Sequence, residues 1–199
     1  MRKIAIIAAA TAATLTPAAA FAQAVPGAVI AIVDLQKVSS ECTACKAANT
    51  ALQGQITALR NRQQALGTPL AAERKTIQAA VDALPEGKAP DAALEAKIRA
   101  FQAKEQQGSQ ELQRGQQQIE RNQAYVGQQI ATKLAPIYQQ VMQRRGANVL
   151  LEQGATLASA ANLDVTNDVL AALNAALPSV SATAPAAPAP SAKQQPQGR

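Results

Sequence analysis

Cys42-Thr43-Ala44-Cys45 is the one short spacing in this chain that invites covalent chemistry. A CxxC pair in an oxidising compartment can exchange with other thiols. The same spacing also suits a local structural disulfide, a bridge between chains or part of a metal site. Lys46 stands where attachment of a c-type haem would need histidine, and the regular alternation of strands and helices that carries thioredoxin-type exchange is missing. The chain contains no histidine, which removes the commonest general base, the commonest metal ligand and every Ser-His or Cys-His nucleophile pair. Asp34 and Asp164 have no such partner, and a cap or turn role suits them better than acid–base work. No glycine-rich loop followed by Lys-Ser/Thr supports an ATPase. The residues therefore point away from an enzyme: no catalytic side chain, cofactor or metal is expected.

The composition explains why so little chemistry is on offer. Apolar residues make up 48% of the 199 residues, yet aromatics make up only 2% and tryptophan is absent. Much of the apolar fraction is alanine, so the large side chains that dominate core burial are scarce. A chain rich in Ala, Gln, Leu, Lys, Arg and Glu reads as long helix around little core. Arg2 and Lys3, the apolar run Ile4 to Leu15 and the small-residue site ending Ala20-Phe21-Ala22 predict a signal peptide over 1–22, with Ala24 as a second cleavage position. Its loss brings the formal net charge from +6 to about +4. That modest positive field favours anionic partners such as lipopolysaccharide or an anionic membrane surface. Export, with only Phe101, Tyr125 and Tyr138 for stacking, argues against nucleic acid.

Three kinds of segment follow. Val29 to Val33, opened by Pro26-Gly27, reads as a buried strand. From Val38 the period changes to alternating steps of four and three. Cys42, Cys45, Leu52, Ile56, Leu59, Leu66, Leu70, Ile77 and Leu84 lie on this heptad seam, interrupted by the polar Asn49, Gln63 and Glu73. Gly67-Thr68-Pro69 should kink or briefly break the rod. Residues 85–90, with two prolines and a glycine, form a tip. Asp91 can cap a second rod that carries Leu94, Ile98 and Phe101 and then, to Arg145, only about one large apolar residue per heptad. Two rods of about fifty residues would each extend roughly 75 to 80 Å. Joined by a tight turn, they predict an antiparallel helical hairpin over 38–145 whose sparse seam lets it bend. Lys97, Arg99, Lys104, Arg114, Arg121, Lys133, Arg144 and Arg145 could present an anion-binding surface, but Glu95, Glu105, Glu111 and Glu120 alternate with them as on a solvated mixed-charge face.

Beyond Gly146, Asn148 to Glu152 and Ala155 to Ala158 read as a hairpin of two strands. Thr166 is a candidate N-cap for a short helix with Val169, Leu170 and Leu173 as its stripe. Residues 178–199, dominated by Pro, Ala, Ser and Gln, read as a disordered tail. The fold class expected is α+β, mostly α: a small αβ body from 23–37 plus 146–177 carrying one long arm. Such a body is too small to be stable alone, so it should oligomerise. Val29, Ile30, Ile32, Val149, Leu150, Leu151, Val169, Leu170 and Leu173 are its candidate oligomerisation residues.

Ile30-Ala31-Ile32-Val33-Asp34-Leu35-Gln36-Lys37-Val38 resembles the opening strand-to-helix signature of the Skp/OmpH chaperones. Leu134-Ala135-Pro136-Ile137-Tyr138, Gly146 to Leu151 and Leu163 to Leu170 resemble the family's closing body. The likeness covers the mature chain to about Leu177; the arms match in pattern and length rather than in residues. It implies a periplasmic homotrimer whose helical arms surround a cavity for unfolded outer-membrane β-barrel proteins, held without ATP. Leu66, Leu70, Ile77, Leu84, Leu94, Ile98 and Phe101 would then be the client-contact positions. Cys42 and Cys45 depart from the family's usual pattern. A structural or adaptor role for the same hairpin in the cell envelope, and a disulfide exchanger, are the other readings.

Overall fold

A computed structural model of the chain describes residues 26–186. The expected signal peptide, both cleavage positions and the tail from residue 187 lie outside the described residues. Strand β1 (Ile30–Val33) leads straight into helix α1 (Leu35–Glu41) because Asp34 serves as N-cap, its carboxylate accepting the Lys37 N–H at 2.8 Å. At Cys42 the backbone leaves the helical region (φ −56°, ψ 126°), although its N–H still reaches the Val38 carbonyl. The same residue opens helix α2 (Thr43–Asp82), its sulfur accepting the Cys45 N–H. Of the kink or brief break expected at Gly67-Thr68-Pro69, the break does not occur, since α2 runs as one helix through Pro69. A proline costs one helical hydrogen bond, and on this exposed stretch the carbonyl it frees can bond to water.

Helix α3 (Ala92–Arg145) begins at Asp91, whose carboxylate accepts the Leu94 N–H at 2.8 Å. It ends at Gly146 with φ 64°, where the N–H groups of Gly146 and Ala147 reach the carbonyls of Gln143 and Met142. A side chain would be strained in that left-handed conformation, so glycine is required to close the helix this way. As α2 runs from Gln55 to Arg74, its partners on α3 run backward from Asn122 through Glu111 to Glu105 and Lys104. The two helices therefore lie side by side in opposite directions.

Strand β2 (Val149–Glu152) pairs in parallel with β1, in the register Ile30↔Val149 to Val33↔Glu152. Parallel strands need a long crossover, and the whole helical arm supplies it. The strand hairpin expected of 148–152 with 155–158 does not form. After β2 the chain makes a 3₁₀ turn at Gln153–Ala155, and Leu157 is fully exposed, with no strand at 155–158. The far side of β1 is taken by a later segment, through a bridge from Ile32 to Asp164 and the Val165 N–H donating to the Ile32 carbonyl. A second 3₁₀ turn (Ala161–Leu163) precedes helix α4 (Thr166–Ala176).

α4 lies on α1 and the base of α3. Val169 and Leu173 are completely buried there with Val38, Cys42 and Val141. These two residues thus find their burial within one protomer, because α1 and the base of α3 form walls that a count of three strands and a helix omits. Ile32 is buried, and Val149, Leu150 and Leu170 are half-buried. Val29, Ile30 and Leu151 stay exposed, at 51%, 38% and 37%.

The tail is a second correction. Residues 178–186 do not float free: Val180 and Ala182 pack on Ala48, Leu52 and Val126 at the base of the arm. Compositional disorder is overridden because the groove between α2 and α3 supplies both the apolar contact and the hydrogen bonds that the segment lacks by itself. Among the described residues, no helix is long and apolar enough to cross a membrane.

Candidate functional site

The cysteines sit at the α1–α2 junction and form a disulfide, with Cα atoms 5.1 Å apart. Both are buried, at 0% and 2% exposure, among Val38, Ala44, Val141 and Leu173. Above them the Asn174 side chain accepts the Thr43 N–H at 2.9 Å, tying α4 to the start of α2. An exchanging disulfide must admit a thiolate in line with one sulfur, and burial beneath α4 blocks that approach. The arrangement can brace a sharp corner, with its sulfurs out of reach of an outside thiol while the body stays closed. Among the described residues, no cluster of three metal-ligating side chains is present.

The arm is built on a thin seam. Leu94 and Phe101 are buried between the helices, whereas Leu66, Leu70, Ile77, Leu84 and Ile98 are half-buried. The heptad rule points these side chains at the facing helix first, so they are only partly available to a third body. Phe101 also lies beneath the Arg74 guanidinium, 5.6 Å from ring centre. Gly115 lets the helices approach, since a Cβ there would lie 2.7 Å from Leu59 Cδ1. Midway along the arm a cleft of about 380 Å³ opens between the helices, lined by Leu66, Pro69, Leu70 and Gly108 and rimmed by Arg62, Glu73, Lys104 and Glu111.

Among the described residues, four ion pairs join charges along the arm. Lys104 reaches Glu73 at 2.8 Å, Arg62 reaches Glu111 at 2.6 Å, Arg74 pairs with Glu105, and Arg99 pairs with Glu95 within α3. The hydrogen bond from Arg62 holds the Glu111 carboxyl below its ordinary value. In the body, Arg145 pairs with Asp168 at 2.6 Å and joins the end of α3 to the first turn of α4. Such exposed pairs contribute little stability each, but across the arm they fix which residue of α2 faces which residue of α3.

Asp164 and Asp34 hold the body together rather than act on a substrate. Asp164 accepts the Thr166 N–H at 2.8 Å, and the Thr166 hydroxyl accepts the Asp34 N–H at 2.9 Å. Thr166, expected to cap α4 itself, is instead its buried first residue. Hydrogen bonds from the Thr166 hydroxyl and N–H, with Lys37 nearby, lower the Asp164 carboxyl below the usual carboxylate range.

One group was not legible in the sequence. Gln55, Asn122 and Gln129 converge on the segment 181–184 at the base of the arm. Asn122 is only 3% exposed, and its Nδ2 donates to Gln55 Oε1 at 2.7 Å. In a chain this rich in glutamine, nothing local marks these amides; only their buried meeting point does.

The comparisons extend this description. A family model described as Outer membrane protein (OmpH-like) matches residues 29–173. Among solved structures, a candidate outer membrane chaperone (OmpH-like) from Caulobacter crescentus is similar in fold, with a TM-score of 0.64 and 24% sequence identity over 79% of this chain and 89% of that one. No curated protein sequence matches significantly. The family match spans β1, the arm, β2 and α4 up to the fully buried Leu173, and so takes in both the body and the arm. The chain belongs to the OmpH-like outer membrane protein family.

Proposed function

We propose that the protein is an ATP-independent holdase of the periplasm, which keeps unfolded outer-membrane β-barrel chains from aggregating between the helical arms of a homo-oligomer. The observation that carries the reading is the arm itself. Forty residues of α2 and 54 of α3 are spent on helices that bury a thin seam and hold no reactive group. A structure that costs so much chain entropy for so little internal packing is best explained by what it touches outside itself.

The cleft and the half-buried Leu66, Leu70, Ile77, Leu84 and Ile98 offer many weak apolar contacts, with ion-paired side chains at the rim of the cleft. Leu94 and Phe101 serve the helix pair instead. The exposed Val29, Ile30 and Leu151 support self-association of the body, and the family likeness makes a trimer the assembly of choice. Lys97, Arg114, Arg121 and Lys133 lie outside the ion pairs of the arm but are interspersed with acidic residues, so lipopolysaccharide or an anionic membrane is a secondary partner.

The test is dilution of an unfolded outer-membrane barrel protein from urea, followed by light scattering. Stoichiometric suppression without ATP is expected. Unchanged aggregation at a several-fold excess would overturn the holdase reading and leave the adaptor role in the envelope.

A further inference from the structure

The segment 178–186 is held in a way that reads like a bound peptide. The Gln129 amide pairs with both main-chain groups of Ser181, donating to its carbonyl at 2.9 Å and accepting its N–H at 3.1 Å. Gln55 Nε2 donates to the Ala182 carbonyl at 2.9 Å, and Asn122 Oδ1 accepts the Ala184 N–H at 2.9 Å. All four bonds go to the segment's backbone. Its own hydroxyl at Ser181 turns back to Thr183 and touches no helix. Burial alternates along it: Val180, Ala182 and Ala184 are half-buried, while Ser181 and Thr183 are exposed.

We infer that the groove between α2 and α3 at the base of the arm, built from Leu52, Gln55, Asn122, Val126 and Gln129, is a binding site for unfolded polypeptide, and that residues 178–186 occupy it in cis as a displaceable stand-in. The inference rests on the holdase reading for its biological use. Main-chain recognition by side-chain amides is indifferent to sequence, which a site for many unfolded chains requires. The apolar side accepts small side chains at every second residue. Val180-Ser181-Ala182-Thr183-Ala184 has the alternation of apolar and polar residues that a transmembrane β-strand also carries. The occupant is thus an unfolded segment with that alternation.

Two forms of the protein test this: the chain ended after Ser179, and the full chain carrying Ala182→Asp, which sets a carboxylate against the apolar floor and should expel the segment. The probe is a fluorescent synthetic peptide of residues 178–186, read by anisotropy. Both forms should bind it, and the unaltered full chain should bind it at least about tenfold more weakly, because an occupant tethered at about millimolar effective concentration competes. A second peptide of different sequence but the same alternation should bind within about threefold of the first. N-methylation at Ala184, which removes one donor, should weaken binding by about tenfold.

No binding to either form, with helix content intact by circular dichroism, would overturn the inference and leave the segment a structural seal. Binding confined to the native sequence would overturn it as well. Barrel-protein aggregation measured in parallel separates the two ideas. Protection without peptide binding removes only this site, whereas peptide binding without protection by any form removes the holdase reading.

Discussion

At the scale of single residues, hydrogen bonds between β1 and α4 set how firmly the body closes. Asp164, Thr166 and Asp34 form one connected set in which a carboxylate, a hydroxyl and a backbone N–H satisfy one another. Because Asp164 titrates below its ordinary range when folded, its contribution is fully present above the unfolded carboxylate value and is lost as pH falls through the depressed native one. Asp164→Ala should cost about 1 kcal/mol at neutral pH, and the difference from the unaltered protein should shrink below about pH 4; urea unfolding at several pH values measures both. A deficit that persists unchanged into acid would mean that the carboxylate charge is not involved. The disulfide is the second case. Replacing Cys42 and Cys45 together by Ala should lower stability by roughly 2 kcal/mol, from a short closed loop, while aggregation protection stays within a few-fold. Loss of protection in a folded double variant would restore the redox reading.

At the scale of elements, much could be read in advance because one cause acted alone. A switch from a short β-branched apolar run to a period of 3.5 marks a mostly helical chain with a small sheet, and Asp91 and Gly146 close α3 by local capping chemistry that sequence displays directly. The break at Cys42 was hidden, since the heptad seam runs through it without a flaw; it comes from a disulfide and from α4 landing on the corner. That the first strand must return beside a later one follows from its apolar faces. The parallel direction and register of β1 and β2 were hidden, because the arm that imposes them separates the strands by more than a hundred residues. The ordered segment 178–186 was hidden because its partners are scattered glutamine and asparagine side chains on two other helices. Glycines separate propensity from packing in the same arm. Gly54, Gly67 and Gly127 are exposed within helices, with open space where a Cβ would go. Alanine at each should raise stability by about 0.5–1 kcal/mol. At Gly115 the new Cβ would collide with Leu59, so the same substitution should gain less or lose. Urea midpoints of the four variants give the comparison; equal gains at all four would mean that the helices do not approach closely at Gly115.

At the scale of the whole molecule, the distinction that matters is between apolar residues already covered and those still open. Val169 and Leu173 have no exposure left, so a charge at either must be buried within one protomer, at a cost of several kcal/mol while it stays ionised and unpaired. Ile30 and Leu151 lie on the sheet with more than a third of their surface open. A two-stranded sheet is marginal by itself, and Val29 beside it is half exposed. These three residues are therefore where further copies of the chain should sit. Leu151→Asp or Ile30→Asp should leave helix content nearly unchanged and reduce the sedimenting mass to that of one chain. Val169→Asp should lose the helical signal itself, and Gln117→Asp, out on the arm, should change neither. Sedimentation of the unaltered protein across micromolar dilutions is the direct measurement, with the mass of three chains expected. A folded single chain throughout that range would remove the oligomer. The arms would then have no neighbours with which to enclose a client, and any protection would have to come from the cleft and basal groove of one arm.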